Sequence, residues 1–160
     1  MPLGTADFKA DMSSWFKRQQ LTHQQACVAI ALNLAENIIR ATPVDTGWAR
    51  ANWWPSLNKR EDPPNTGKGS PHASTYDLGK KAGAKARAAN GTASTGDGMT
   101  RAAAEFAGGK VGDLFILSNG VPYIRRLEHG WSKQAPKGMV LLSIQRLKTF
   151  FETFDPKAAP

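Results

Sequence analysis

Apolar side chains recur at helical spacing in the first half of the chain. They fall at Cys27, Ile30, Ala31, Leu34 and Ile38, which are the i, i+3, i+4, i+7 and i+11 positions of one helix face. Such spacing predicts an amphipathic helix. Thr22 can cap its start, with Gln25 three residues on as in a capping box, and Pro43 ends it because the residue before a proline avoids the helical region. An earlier and shorter helix is predicted from Thr5 to Gln20.

A second apolar stripe predicts a helix near the C-terminus, from Lys137 to Phe154 and following Pro136. Its members are Val140, Leu141, Ile144, Leu147, Phe151 and Phe154, and apart from the adjacent Val140 and Leu141 they are three or four positions apart. A short helix is predicted from Met99 to Ala107, because Gly108 and Gly109 follow as terminators.

Two short stretches show the pattern of strands. From Trp48 to Trp54, large or polar residues alternate with alanine and then with Trp53, and this alternation predicts a strand. A second strand is predicted from Asp113 to Ser118, an apolar run that ends at the turn signal Asn119-Gly120. The stretch from Pro122 to Glu128 fits either a strand or one helical turn.

The middle of the chain has little apolar surface to bury. Between about residues 58 and 98 the only large apolar side chains are Tyr76 and Leu78. Because so little burial cannot offset the entropy cost of ordering, we expect a long, flexible, weakly basic loop. The fold class predicted from these elements is α+β, with a small antiparallel sheet packed with N-terminal and C-terminal helices in a single domain over residues 1–160.

Composition narrows the class of protein. The 160 residues are 41% hydrophobic and 21% charged, as in ordinary soluble proteins. A net charge of +8 favours an acidic partner, or a lumen that carries nucleic acid. No apolar run is long enough to span a membrane, and residues 1–20 lack the apolar centre of a signal peptide. We therefore expect no membrane partner, and synthesis in the cytoplasm.

Little in the sequence points to catalysis or to a bound cofactor. The single cysteine, Cys27, lies on an apolar stripe, and the three histidines are scattered, so no metal site is predicted. Glu128 and His129 are adjacent, and adjacency does not bring a carboxylate and an imidazole within hydrogen-bond reach of each other. Residues 67–70 lack the first glycine and the flanking elements of a phosphate loop. We predict a protein that is not an enzyme, with no catalytic residues and no cofactor.

Tryptophan is the most informative residue type in the chain. Trp48, Trp53 and Trp54 lie on one predicted strand. A strand directs the consecutive Trp53 and Trp54 to opposite faces, so one can fill the core while the other lies on the outer face or beneath another layer. Tryptophan is frequent both in cores and at binding hot spots, and the pattern leaves both roles open.

Two separate segments resemble a family of phage proteins. The first runs from Thr42 to Trp53 as TPVDTGWARANW, directly after the amphipathic helix. The second runs from Asn119 to Gly130, with an asparagine-containing turn, then Tyr123, then Glu128 two residues before a glycine. In this order, and with a low-complexity loop between them, they resemble the tail-completion or head–tail joining proteins of long-tailed phages. That group includes the HK97-type tail component and is similar to lambda tail protein Z.

The resemblance implies a structural protein of the virion. Members of the family form rings, commonly six-fold, that cap the upper end of the tail tube and meet the head connector. The implied partners are other copies of the chain in a ring, a head connector, adaptor or stopper protein, the tail tube or tail terminator, and loosely the genomic DNA in the lumen. The implied location is the neck of the virion, after assembly in the host cytoplasm.

A ring assembled head to tail needs two different complementary patches on each subunit. The candidates are the two segments that carry the resemblance, and the interface residues proposed in them are Trp48, Trp53, Trp54, Tyr123, Arg125, Glu128, His129 and Trp131. Glu128 is expected either to pair with Arg125 or Arg126 within the chain or to meet a basic neighbour across an interface.

Other residues of these segments are expected to fix the fold of the turns. Asp45 or Thr46 can accept hydrogen bonds from nearby backbone amides, and Gly47 can take a positive φ. The residues assigned this role are Pro43, Asp45, Thr46, Gly47 and Gly130.

The alternative function is that of a small basic nucleic-acid-binding protein. The predicted loop would then act as a non-specific electrostatic clamp on phosphates through Lys59, Arg60, Lys68, Lys80, Lys81, Lys85 and Arg87. The loop has almost no aromatic residues on which bases could stack, and the chain has no helix-turn-helix, zinc finger or RNP-like motif. Sequence-specific recognition is therefore not expected.

Overall fold

The computed structural model describes residues 23–61 and 84–153, with side chains at 23–61 and 92–149. The predicted helix from Thr5 to Gln20, the predicted cap Thr22 and residues 62–83 of the predicted loop lie outside the described residues. The described elements in chain order are α1 (His23–Ala41), α2 (Trp48–Ala51), β1 (Trp53–Leu57), α3 (Ala84–Phe106), β2 (Phe115–Asn119), α4 (Ile124–Glu128) and α5 (Val140–Thr153). The two strands pair antiparallel, and the predicted α+β class is confirmed.

Helix α1 is the amphipathic helix predicted from the first apolar stripe. Its fully buried side chains are Ala26, Ala35, Ile38 and Ile39. On its exposed side Arg40 Nε donates to Glu36 Oε1 at 2.7 Å, an ion pair in the favourable i,i+4 order. The buried Thr42 hydroxyl donates to Ile38 O at 2.7 Å and closes the helix just before Pro43.

Arg50 holds the end of α1 against the following turn. Its Nε and Nη2 atoms donate to Thr42 O at 2.9 and 2.7 Å, and Nη2 also donates to Arg40 O at 2.8 Å. Its Nη1 atom donates to Thr95 Oγ1 at 3.2 Å, which ties the turn to α3. Burial, together with the charge of Arg40, lowers the pKa of Arg50 below its ordinary value. One guanidinium therefore satisfies the carbonyl groups that a helix end leaves without partners.

The predicted strand from Trp48 to Trp54 divides into helix α2 and strand β1, so the strand prediction is wrong for its first half. Gly47 has a φ of 89° and turns the chain. The amide of Ala51 then donates to Gly47 O at 2.9 Å, as in a helical turn. This turn buries Ala49 and Ala51. Alternating small and large residues fit one turn of helix as well as a strand, and the positive φ at Gly47 selects the helix.

The sheet places the two consecutive tryptophans on opposite faces, as predicted. β1 and β2 pair with Trp53 opposite Asn119 and Leu57 opposite Phe115. Trp53 is only 5% exposed and lies in the core, whereas Trp54 is half-buried. The second predicted strand is confirmed, with its bounds shifted by one or two residues.

Helix α3 occupies part of the segment predicted as a loop, so the loop prediction is wrong there. It begins at Ala84 and continues through most of the short helix predicted near its end, so residues 84–98 are helical. The buried row of α3 has one member every four positions: Ser94, Gly98, Ala102 and Phe106. At Gly98 a Cβ would lie 3.2 Å from Ile39 Cδ1, so the glycine allows α3 to lie close to α1. A contact surface made mostly of small residues has no apolar periodicity, and the sequence pattern therefore missed this helix.

The last two helices follow the sequence prediction in part. The stretch that fitted either a strand or a helical turn contains helix α4. Helix α5 is the predicted C-terminal helix, beginning at Val140. Leu141 and Ile144 belong to its apolar stripe but are 56% and 47% exposed, whereas Val140 packs against the core. Only part of the stripe therefore faces inward.

The core consists of two adjoining clusters. The first contains the buried residues Ile38, Ile39, Ala49, Trp53, Leu127 and Met139. The second contains Ala35, Ala102 and Phe106, where the Phe106 and Phe115 rings meet edge to face with centroids 5.3 Å apart. Leu117 packs against both clusters. The strand β2 thus connects the part of the core near α3 with the part near α4 and α5.

Candidate functional site

The two segments that carry the resemblance lie side by side in the fold. The backbone of Val44 makes two hydrogen bonds to the Gln134 side chain, from Val44 N to Oε1 at 3.1 Å and from Nε2 to Val44 O at 2.9 Å. The rings of Trp48 and Tyr123 meet edge to face with centroids 5.6 Å apart. Asn119 Nδ2 donates to the carbonyl oxygen of Ala49 at 2.8 Å. Residues about 75 positions apart in sequence therefore form one continuous surface.

A pocket of about 130 Å³ opens between these segments, and we call it the turn pocket. One side is formed by residues 43–49, the turn between α1 and α2 and the start of α2. The other side is formed by Tyr123, Leu127, Ser132 and Gln134. The pocket therefore belongs to both segments and to no single element of the fold.

The turn pocket combines an apolar lining with hydrogen-bond donors. The Nε1 atom of Trp48 is buried and has no hydrogen-bond partner among the described residues. Burial, and then the charge of Asp45, raise the pKa of Tyr123 above its ordinary value, so its phenol remains protonated at neutral pH. A buried N–H without an acceptor is costly, and an acceptor oxygen that reached this N–H would relieve that cost. The lining of the pocket is mostly apolar and thus suited to a small apolar group.

The turn itself has the geometry expected for two of its residues. Thr46 Oγ1 accepts a long hydrogen bond, of 3.4 Å, from the Trp48 amide. Gly47 takes the positive φ predicted for it. Pro43 is buried directly after α1, while Asp45 is exposed at the rim of the pocket.

Glu128 does not make the pairing within the chain that was one of the two alternatives predicted for it. Its Oε2 atom accepts the backbone amides of Met139 and Val140 at 2.9 and 2.8 Å, and its Oε1 atom accepts that of Leu141 at 2.9 Å. The expected pairing with Arg125 or Arg126 is therefore wrong, because the carboxylate caps the first turn of α5. Glu128, which belongs to α4, therefore caps a different helix.

The electrostatics of this cap follow from its hydrogen bonds. Burial by itself would raise the pKa of Glu128. The three backbone amides, with a smaller contribution from the neighbouring His129, outweigh burial and hold the pKa of Glu128 below its ordinary value of 4.5. The carboxylate is thus ionised at neutral pH, as the positive end of the α5 dipole favours.

Two glycines allow the chain to close around this cap. Gly130 has a φ of 80° and Gly138 one of 77°. A Cβ at Gly130 would collide with the carbonyl oxygen of Pro136, and one at Gly138 would collide with the carbonyl oxygen of Glu128. The role in fixing the fold that was predicted for Gly130 is consistent with this geometry, whereas Gly138 was not predicted.

We expect Gly138→Ala to destabilise the protein by about 2 kcal/mol, since it combines a strained φ with a backbone collision at the cap. Gly112→Ala is the matched control, because Gly112 also has a positive φ, of 96°, but open space around it. Gly112→Ala should cost only the backbone strain, about 1 kcal/mol. Urea denaturation of both variants measures the difference. Equal losses would contradict the close approach of Gly138 to Glu128.

The other interface candidates divide between core and surface. Trp53 is in the core and its Nε1 donates to Thr42 Oγ1 at 2.8 Å, so it is corrected from an interface candidate to a core residue. Trp54 is half-buried, with the Arg101 guanidinium 5.1 Å from its ring centroid. The exposed candidates are Arg125, His129 and Trp131, of which Trp131 is 66% exposed.

Sequence reasoning missed several residues that build the site. Gln134 lies just beyond the second segment and binds the backbone of Val44 in the first, and the Ser132 hydroxyl accepts the backbone amide of Gln134 at 3.2 Å. Arg101 donates from α3 to the carbonyl of Ala51. These are single polar side chains bonded to backbone groups distant in sequence, and no spacing pattern marks them. The one available signal was at α5, whose start lacks a capping side chain nearby and so requires an acceptor from elsewhere.

Among the described residues, no three histidine, cysteine, aspartate or glutamate side chains are close enough together to hold a metal ion. None of the helices in the described part of the chain is long and apolar enough to cross a membrane. Comparisons with protein-family models, with curated proteins and with solved structures found no match for this chain.

Proposed function

We propose that this chain is a structural virion protein of the head–tail interface, or neck, of a long-tailed phage. In this proposal it forms a ring, taken as six copies from the resemblance, that completes the upper end of the tail tube. The ring joins the tube or its terminator to the head connector, adaptor or stopper. The single observation that supports the proposal is that the two resembling segments meet and enclose the turn pocket.

The turn pocket is suited to contact with another protein. A head-to-tail ring needs a recess on one subunit and a projection on the next. The pocket offers a recess with two half-buried aromatic walls, Trp48 and Tyr123, and the Trp48 Nε1–H has no partner among the described residues. Aromatic side chains in well-packed pockets dominate the energetics of protein interfaces. A small side chain with an acceptor oxygen, from a neighbouring subunit, fits this chemistry.

The same pocket gives little support to catalysis. An acid–base catalyst works best with a pKa close to the working pH. The pKa of Tyr123 is moved upward, away from neutrality, by burial and by Asp45. The glutamate nearest in sequence, Glu128, is engaged by three backbone amides at α5. Binding is therefore the better supported role.

The first test is the mass of the protein in solution by light scattering, with and without purified phage tail tubes, at two salt concentrations. A ring-sized mass, or attachment to one end of the tube that survives high salt, supports the proposal. A protein that ignores tubes, binds random DNA and releases it as salt rises would favour the electrostatic clamp instead. A protein that binds neither tubes nor DNA and forms no ring would contradict both functions.

We expect Trp48→Phe to weaken ring formation or tube attachment about tenfold, because it removes the N–H that an incoming acceptor would use. The free protein should keep its stability to within about 1 kcal/mol, since the deleted N–H has no partner there. Pull-down on tail tubes and thermal unfolding measure the two effects. Glu36→Gln, on the exposed side of α1, is the control and should change neither. Unaltered attachment of Trp48→Phe would exclude the turn pocket as a contact.

A further inference from the structure

Strand β2 has an outer edge that nothing in the described chain covers. The bond from Asn58 N to Leu114 O, at 2.8 Å, sets the phase of the β1–β2 ladder. Hydrogen-bonded and non-bonded pairs alternate along an antiparallel ladder. The next bonded pair is therefore Ser56 with Ile116, and the one after it is Trp54 with Ser118. The residues between them turn their backbone N–H and C=O groups away from β1: Phe115, Leu117 and Asn119.

The outer edge of β1, by contrast, is closed. Pro55 lies at an outward position and has no N–H to donate. The outward carbonyl of Trp53 accepts Arg101 Nη2 at 3.5 Å, and that of Leu57 accepts the Lys59 amide at 2.6 Å. A further strand therefore cannot form a complete ladder on this side of the sheet.

The outer edge of β2 lacks every such protection within the described residues. β1 is its only strand neighbour there, and no described backbone group bonds to the outward groups of β2. The stretch from Leu114 to Pro122 contains no charged residue, and Leu114 is 60% exposed. Natural edge strands are usually blocked by lysine, proline or a bulge, because an open apolar edge pairs with other chains.

We propose that the β2 edge binds the β2 edge of a second copy of this chain, antiparallel across a two-fold axis at Leu117. Phe115 of one copy then lies opposite Asn119 of the other, and Leu117 lies opposite Leu117. Each of the three outward residues both donates and accepts a backbone hydrogen bond. The result is one four-stranded antiparallel sheet built from two chains, and such a sheet is more stable than an isolated pair of strands.

The properties of the two sheet edges indicate that the partner at the β2 edge is a second copy of the chain. The outward residues are placed symmetrically about Leu117, so the edge is complementary to itself when turned by a two-fold rotation. Extension head to tail would instead require the closed outer edge of β1. The pairing must therefore stop at two copies.

This inference is independent of the proposed neck function. The β2 contact uses a strand edge and the ring contact uses the turn pocket, so a dimer can be tested without tail tubes. Loss of the dimer would leave tube attachment unaffected, and failure to bind tubes would leave the dimer intact.

The first test is residue-resolved amide hydrogen exchange of the full chain at several protein concentrations, together with its mass by light scattering. Because β1 protects the amides of Ile116 and Ser118 in the monomer, these serve as internal controls. The amides of Phe115, Leu117 and Asn119 should become protected at least about tenfold as the mass rises to that of a dimer. Free exchange of these three amides at every concentration would overturn the proposal. Protection of these amides in a sample whose mass is that of a monomer would also overturn it, since the chain itself would then cover the edge.

The second test uses the register of the two strands. In the dimer Ile116 of one copy lies opposite Ser118 of the other, at a non-bonded pair where side chains approach closely. The double variant Ile116→Lys/Ser118→Lys places like charges opposite each other and should weaken the dimer about tenfold or more. Ile116→Lys/Ser118→Glu places opposite charges there and should retain the dimer. Equal masses for the two folded variants would overturn the proposed register.

Discussion

Glu128→Ala should destabilise the folded protein by about 2 to 3 kcal/mol at neutral pH. The substitution leaves the amides of Met139, Val140 and Leu141 without their acceptor at the start of α5. A lost helix cap alone costs about 1 kcal/mol, and charge-assisted bonds are stronger than neutral ones. Urea denaturation at neutral pH measures the loss.

The pH dependence gives this prediction a distinctive signature. The folded-state pKa of Glu128 is lowered, so its stabilising contribution is complete above the unfolded-state value of about 4.5. It is lost as the pH falls through the folded-state pKa, because the protonated carboxyl no longer carries the charge that the amides favour. The free energies of unfolding of the wild type and Glu128→Gln should therefore differ at pH 7. They should converge as the pH falls through the folded-state pKa of Glu128.

Glu36→Gln is the matched control for this series. It removes the same charge from an ion pair with Arg40 that is 2.7 Å long, but the Arg40 and Glu36 side chains are 62% and 39% exposed. Its effect should stay within about 0.5 kcal/mol. A Glu128→Gln variant as stable as Glu36→Gln at neutral pH would show that the cap contributes nothing.

The sequence predicted those parts of the fold that have a local signature. Helix α1 has an apolar stripe and a terminating proline, and the strand that became β2 has an apolar run before an Asn-Gly turn. Helix α3 has neither, because it packs through Ser94, Gly98 and Ala102, and small residues leave no hydrophobic period. Composition alone favoured a loop there, because the segment has few large apolar residues. It does not reveal that small side chains become buried when two helices pack closely.

The candidate site was less accessible to prediction than the fold. The two segments were recognised as motifs, but their contact depends on bonds such as that from Asn119 Nδ2 to the carbonyl oxygen of Ala49, across 70 positions. The role of Glu128 likewise depends on where α5 begins, and sequence-based helix ends are uncertain by a few residues. Both are long-range bonds between a side chain and the backbone. Such bonds become visible only once the chain is folded.

The two consecutive tryptophans of β1 should respond in opposite ways to the same substitution. Trp53→Ala should cost about 3 to 5 kcal/mol, because it empties a site in the core and removes the bond to Thr42. That loss is comparable with the whole stability of a small domain, so much of the variant should be unfolded at 37 °C. Near-ultraviolet circular dichroism and urea denaturation measure it.

Trp54→Ala should cost only about 1 kcal/mol, since it removes a half-buried ring and its contact with the Arg101 guanidinium. The folded variant should nevertheless form rings or attach to tail tubes less well than the wild type, if Trp54 is an interface residue as the sequence predicts. A Trp54→Ala variant that unfolds as readily as Trp53→Ala would place Trp54 in the core. A folded variant with unaltered assembly would remove the outer face of β1 from the ring contact and leave the turn pocket as the remaining candidate.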